Sequence, residues 1–425
     1  MNKSMMTAAF VFALVLTTNT FASEKRFIHI EARTKQERTK LAELGVSLEA
    51  FYSDSIWGFA SAKTLTKVKN AGFRILDVKA LETGRGGHDR LFGFPSGDDR
   101  FHDYNEMKVA ISELATKNPE YIRVMSIGKT IEGRDIPAMH INSSPNALKR
   151  IKSNKPGFVL LGNHHAREHL SAEIPLMFAQ YLMANKNDSM IKKLLDDRDL
   201  WIVPMVNPDG VEFDISGDKY HMWRKNRRNN GDGTAGVDLN RNYGFRWNTG
   251  GSSSDTDSEV YMGKAPFSEP ETQAVRDFVS SLSNVTVLLT VHTFSELILY
   301  PWGSSYDPIP NEKDRKVFET MANTMAKWNH YKPQQSSDLY IASGDTCDWA
   351  YGEKGIFAFT FELSPKNMWD GGFYPGAKVI DRVFDANLKP LLYMLNYSEN
   401  PYRVLDRSQH TVQANSFLKN LVYLD

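Results

Sequence analysis

Cysteine is almost absent: of 425 residues only Cys347 carries a thiol. An intramolecular disulfide is therefore excluded, and stability must come from packing or from a bound metal. Charge of one sign is lacking too. Lys and Arg together number 51, as do Asp and Glu, so there is no basic footprint for nucleic acid and no strong field for acidic partners. Long apolar runs are missing as well. The stretch from Ala8 to Leu16 falls short of the roughly 20 residues a membrane span needs. With Lys3 before it and the small-residue exit Thr20-Phe21-Ala22 after it, it reads as a cleaved secretory signal over residues 1–22. The expectation is an exported protein, secreted or periplasmic, with neither membrane nor nucleic acid among its partners.

What is present divides the chain. Its length suits a large core plus a smaller unit. From Arg26 to Lys79 strand-like and helix-like runs alternate in the order β-α-β-β-α-β, a ferredoxin-like pattern. Such an α+β module over residues 23–83, between a signal and the rest, reads as a propeptide. Residues 84–102 are dense in Gly, Pro and charge, which is linker composition. Arg85, Arg90 and Arg100 are the points where an activating protease is expected to cut, since proteolysis concentrates in exposed loops. Residues 103–400 alternate amphipathic helices with apolar strands, an α/β organisation. Ile174, Met177, Phe178, Tyr181 and Leu182 share one helical face, and Ile380 to Leu395 outline a later helix that Pro390 is expected to interrupt. Residues 401–425 form a C-terminal extension carrying Phe417, Leu418, Leu421 and Val422.

Three apolar runs each break off at a residue that binds or activates a metal. Phe158-Val-Leu-Leu161 leads to His165-Ala-Arg-Glu168, Val287-Leu-Leu-Thr-Val291 to His292, and Phe357-Ala-Phe-Thr-Phe361 to Glu362. Short runs rich in β-branched and aromatic residues are buried strands, and ligands gather beyond the carboxyl ends of such strands. The four side chains are therefore expected to converge. Two histidines, one carboxylate and an open fourth position make a catalytic zinc set, whereas a structural zinc takes four closed ligands rich in cysteine. His-x-x-Glu alone is a weak signal, and His164 and His169 compete with His165 for the ligand role.

Further motifs strengthen it. In order come Gly128-Lys-Thr-Ile-Glu-Gly-Arg134, Gly162-Asn-His-His-Ala-Arg-Glu168, Asn207-Pro-Asp-Gly210, Trp223-Arg-Lys-Asn-Arg227, Gly236-Val-Asp-Leu-Asn-Arg-Asn242, Ser343-Gly-Asp-Thr-Cys-Asp-Trp349 and Phe359-Thr-Phe-Glu-Leu363. Over about 300 residues they resemble the zinc metallocarboxypeptidases of the carboxypeptidase A/B/T family. The resemblance implies a mixed eight-stranded sheet flanked by helices, with the site at its carboxyl edge and one zinc per chain held by His165, Glu168 and His292. It implies Glu362 as general base, Arg224 as the group that polarises the scissile carbonyl, and Arg167 as a nearby substrate contact. Asn240, Arg241 and Tyr340 are implied as the clamp on a terminal carboxylate, which makes peptide and protein C-termini the expected partners of a monomeric enzyme. Physical chemistry supports these roles: a carboxylate can move the proton of a zinc-activated water, and a guanidinium fork grips a carboxylate bidentately.

Specificity is expected to be broad. In the family the residue matching Cys347 lies at the base of the side-chain pocket, and a small apolar residue there favours apolar or aromatic C-termini, while Asp345 offers a carboxylate to basic ones. Departures from the family pattern fall at His221, Phe294 and Glu296. The alternatives carried forward are a murein-type peptidase acting on peptidoglycan stems and a catalytically silent peptide-binding relative.

Overall fold

The computed structural model describes residues 25–80, 94–144, 155–217 and 219–406. The expected signal, Arg85 and Arg90, and Phe417 to Val422 lie outside the described residues. The N-terminal module is the expected β-α-β-β-α-β unit: β1 (Lys25–Glu31), α1 (Lys35–Glu43), β2 (Ser47–Phe51), β3 (Ser55–Ser61), α2 (Ala62–Asn70) and β4 (Ile75–Ala80). Its sheet runs β2-β3-β1-β4 and is antiparallel throughout. Thr34 starts α1 with a reciprocal cap, its hydroxyl accepting from Glu37 N while the Glu37 carboxylate accepts from Thr34 N. Alternation decides which way each strand faces. Ile28 and Ile30 turn to the helices, whereas Phe27, Trp57 and Phe59 turn to the large domain.

The large domain contributes α3 (Tyr104–Lys117), β5 (Ile122–Lys129), β6 (Asp135–Ile141), β7 (Gly157–Gly162), α4 (Leu170–Ala184), α5 (Ser189–Asp197), β8 (Asp199–Val203) and α6 (Pro208–Asp214). Then come α7 (Pro270–Ser281), β9 (Val285–Thr293), β10 (Leu297–Tyr300), α8 (Glu312–Asn329), β11 (Lys332–Gln335), α9 (Thr346–Lys354), β12 (Phe357–Leu363) and α10 (Ile380–Tyr397). Eight strands form one sheet, ordered β11-β10-β12-β9-β7-β8-β6-β5. The central four, β12-β9-β7-β8, are parallel, and antiparallel pairings flank them.

Those central strands are buried on both faces, so they read as continuous apolar runs. Phe158, Leu160, Leu289, Phe359 and Phe361 enter the layer under α4, α8 and α10, while Val159, Leu161, Leu288 and Ala358 enter the layer under α7 and α9. Each large side chain so buried contributes about 2 kcal/mol. The interruption expected at Pro390 does not occur: α10 runs unbroken from Ile380 to Tyr397 with Pro390 inside and buried. Packing of Val383, Leu391, Leu392 and Leu395 into the larger core outweighs the one backbone hydrogen bond a proline removes. The segment from 94 to 102 also departs from a free linker. Phe94 is buried against Phe101 and His169, and Arg100 makes a two-point ion pair with Asp381.

Candidate metal centre and substrate cleft

Strand register sets the site. His292 on β9 lies opposite Glu362 on the parallel strand β12, and β7 ends beside them at Gly162, level with Val291. There the chain turns sharply. A side chain on Gly162 would collide with the Ser171 carbonyl and meet the Pro204 carbonyl at 2.6 Å, so only glycine lets β7 pack against α4. Asn163 then donates its amide to the carbonyls of His165 and Glu168, shaping a loop that aims both side chains inward.

The geometry is that of a metal triad. His165 Nδ1 and His292 Nδ1 lie 3.1 Å apart, and Glu168 reaches one with Oε1 at 2.8 Å and the other with Oε2 at 2.9 Å. All three residues are buried, and their ligand atoms fall within 4.8 Å of one another. Two nitrogens each about 2.0–2.1 Å from a tetrahedral zinc would stand about 3.3 Å apart, so the donor set fits. The outer nitrogens are held as such ligands require: His165 Nε2 donates to Asp238 Oδ1 at 3.0 Å, and His292 Nε2 meets the Thr290 hydroxyl at 3.2 Å. Enclosure works against the Glu168 charge, but the two imidazoles hold its carboxyl well below the usual range. The competing histidines are engaged elsewhere. His164 pairs with the Tyr243 hydroxyl at 2.8 Å, and His169 with Asp214 at 2.9 Å.

Around the triad opens a cleft of about 750 Å³, its mouth included, that holds many of the residues expected from sequence. Arg224, Asn240, Arg241, Tyr340, Asp345 and Glu362 line it beside His165 and Glu168. Arg224 donates Nε and Nη2 to Asp238 Oδ2, leaving Nη1 3.8 Å from Glu168 Oε1. Arg241 Nη2 donates to the Tyr340 hydroxyl at 3.0 Å. Asn240 gives its oxygen to Thr346 N and Oγ1, which leaves its amide NH2 as the donor on offer. Enclosure pushes the Glu362 carboxyl well above the usual range, the carboxylates of Glu168 and Glu49 add to the rise, and Arg224 and Arg241 oppose it.

Two expected residues stand away from the wall. Arg167 is fully buried between Glu49 of the N-terminal module at 2.7 Å and Glu259 at 3.2 Å. Cys347 sits behind Thr360, whose hydroxyl is 3.1 Å from Sγ, so Thr360 rather than Cys347 forms that wall. Nearby, Asp345 Oδ1 caps α9 by accepting Asp348 N, while Oδ2 is buried with no hydrogen-bond partner among the described residues. Sequence reasoning missed Asp238, Thr360 and Glu49. Asp238 was within reach, lying two residues before Asn240 in a motif already singled out; Thr360 and Glu49 read only as strand residues.

A mixed α/β sheet with a buried His-Glu-His triad at its carboxyl edge defines a metal-dependent hydrolase. The zinc carboxypeptidase family model matches residues 107–389, and the chain belongs to that family of zinc-dependent exopeptidases. It is 33% identical over 403 residues to a zinc carboxypeptidase of Saccharothrix mutabilis subsp. capreolus, covering 91% of this chain and 92% of the relative. It is 30% identical to carboxypeptidase B of Rattus norvegicus, covering 75% of each. Among solved structures, carboxypeptidase A from Helicoverpa armigera superposes with a TM-score of 0.72 at 22% identity over 91% of this chain and 99% of that one, a likeness of fold.

Proposed function

We propose that the protein is an exported carboxypeptidase made as a zymogen, which removes apolar, aromatic and also basic residues from peptide C-termini. The observation that carries the reading is the arrangement of one cleft. His165, Glu168 and Glu362 line it together with Asn240, Arg241 and Tyr340, donors suited to a free carboxylate, and with Asp345. A zinc held by His165, Glu168 and His292 would supply Lewis-acid polarisation of the carbonyl and lower the pKa of a water toward about 7. Glu362 is the carboxylate placed to take a proton from the attacking water and pass it to the leaving amine. Arg224, fixed by Asp238, places positive charge where the carbonyl oxygen turns negative. Arg241 and Tyr340 hold the terminal carboxylate, so the bond presented to Glu362 is the last one.

Broad specificity follows from Asp345. Burial first, then the Asp348 carboxylate beside it, push Asp345 well above the usual range. An upward-shifted carboxyl is easier to protonate beside an apolar side chain, and a cationic side chain draws it toward its charged form. Zymogen status is supported by β2, whose Leu48, Glu49 and Phe51 line the cleft; Phe51 stacks on Tyr340 at 5.9 Å. Cutting at Arg85 or Arg90 suits the packing better than cutting at Arg100, because the residues from Phe94 onward are anchored on the large domain.

Zinc-dependent release of C-terminal residues from peptides ending in Phe, Leu, Arg and Glu tests this. Glu362→Gln is expected to lower kcat at least about 1000-fold, within the range for a proton-transfer group, with zinc content unchanged. The Arg-over-Phe ratio in kcat/KM should climb as pH rises through the Asp345 titration and flatten in Asp345→Asn. Exclusive cleavage of C-terminal Arg, or a pH-independent ratio, would overturn the specificity assignment.

A further inference from the structure

Beside the cleft, the N-terminal module places one cation in a pocket built by the large domain. Lys25, at the start of β1, sets its Nζ 2.7 Å from Glu259 Oε1 and 4.5 Å from the centre of the Trp223 ring. The ammonium is buried and, among the described residues, has no hydrogen-bond partner besides this ion pair. Glu259 is 2% exposed, and its second oxygen pairs with Arg167 Nη1 at 3.2 Å. Lys225 is close enough to contribute, with its own Nζ committed to the Thr256 carbonyl at 2.9 Å. Burial works against the Glu259 charge, but Lys25, Arg167 and Lys225 hold its carboxyl down at about 2. Glu259 is thus a fixed anion that shares its ammonium with an aromatic face, the combination that recognises ammonium groups.

Departure of the module would remove charges in a matched way. Lys25 leaves Glu259 and Trp223, and Glu49 leaves Arg167. A pair of opposite charges is withdrawn, and the large domain is left with its complement: the Arg167 guanidinium, the Glu259 carboxylate paired to it, and the Trp223 ring that faced the departed ammonium. A group that merely neutralised Arg167 would leave Glu259 short of the cation it was folded around, and burying an incompletely paired carboxylate is costly.

We infer that Glu259 and Trp223 form a subsite for a primary ammonium group carried by the substrate upstream of the scissile bond, either a lysine side chain or the N-terminus of a short peptide. In the uncleaved chain Lys25 occupies it as a stand-in for that ligand. The inference rests on the reading of Arg167 as a substrate contact, since Arg167 lies between Glu259 and the cleft-lining Glu49. It concerns residues before the cleaved bond, whereas Asp345 concerns the residue after it.

The test uses the full-length chain, zinc-loaded and then cut between the two units, in a Glu362→Gln background so that peptides bind without turnover. Peptides ending in Phe carry lysine or norleucine at each of the three positions before the end, with acetylated N-termini. A second arm compares free and acetylated N-termini on tripeptides. Lysine at one position, or the free amine at one length, is expected to bind about tenfold tighter than its neutral match, the size of an ion pair reinforced by an aromatic face. Glu259→Gln should bring that ratio to about one, and Trp223→Leu should reduce it to about threefold. Because the readout is a ratio within one protein, weaker overall binding by a variant does not obscure it. A ratio near one at every position with Glu259 intact, or an undiminished ratio in Glu259→Gln, would overturn the subsite. Turnover by the unmutated enzyme reads the carboxypeptidase assignment separately, so the two can fail independently.

Discussion

At Asp238 one buried carboxylate serves two groups of the site. Oδ1 accepts from the ligand imidazole of His165, and Oδ2 grips Arg224 through two nitrogens. Burial opposes its charge, but Arg224 and His165 hold it well below the usual carboxylate range. Asp238→Asn keeps the shape while removing the charge that orients the ligand, so zinc affinity should fall about 10- to 100-fold, as for other partners of metal-bound histidines. Competition with a chromophoric chelator measures this, and unchanged affinity would show that Asp238 does not orient the ligand. The ligands themselves were legible because each is a chemically distinctive residue at the end of an apolar run. Asp238 and Thr360 were not legible in the same way, since an outer partner is defined by what it touches. Cys347 illustrates the limit: chain position brings it near the pocket, but Thr360 of β12 stands between its thiol and the cleft.

Among elements, the central strands were the most legible, since the continuous apolar runs of β7, β9 and β12 mark strands buried on both faces. The helix carrying Pro390 was misjudged, because tertiary packing and not local propensity decides a buried helix. Helix α7 shows how an element far from the zinc steadies the site. In its first turn Glu271 accepts from Ile131 N at 2.9 Å and from Asn226 Nδ2 at 3.1 Å. Asn226 Oδ1 in turn accepts Val237 N, anchoring the turn that presents Asp238, Asn240 and Arg241. Burial raises the Glu271 carboxyl from 4.5 to about 7. A carboxyl raised on folding binds more protons folded than unfolded between those values, so its contribution to stability is present below pH 4.5 and lost as pH rises through 7. Chemical denaturation at pH 5 and pH 8 should therefore show the unmutated protein losing up to about 3 kcal/mol more than Glu271→Gln across that interval. Equal losses would mean that the side chain is relieved some other way.

For the molecule as a whole, the two folded units meet across the cleft, and which contacts matter there follows from their exposure. Lys35–Asp338 and Lys63–Asp255 are ion pairs with solvent-reached lysines, worth about 1 kcal/mol or less each and weakened by salt. Phe27, Trp57 and Phe59 pack with Phe294 and Phe373, which supplies adhesion without direction. The Glu49–Arg167 pair differs in kind: the arginine is fully buried, and its guanidinium is sandwiched near the rings of Phe59 and Phe373 at 4.8 and 4.3 Å. Breaking a buried pair from one side costs about 3–5 kcal/mol, and the loss here should be smaller because Arg167 keeps Glu259. In the proposed zymogen, Glu49→Gln should therefore loosen β2 over the cleft and raise turnover of a small C-terminal substrate by the uncleaved chain about tenfold, an equilibrium shift of about 1.4 kcal/mol. After limited proteolysis between the units, variant and unmutated protein should reach the same kcat, because Glu49 departs with the module. If the uncleaved variant is no more active than the uncleaved parent, Glu49 is not what holds the cleft closed, and the apolar contact of Phe51 with Tyr340 becomes the element to break.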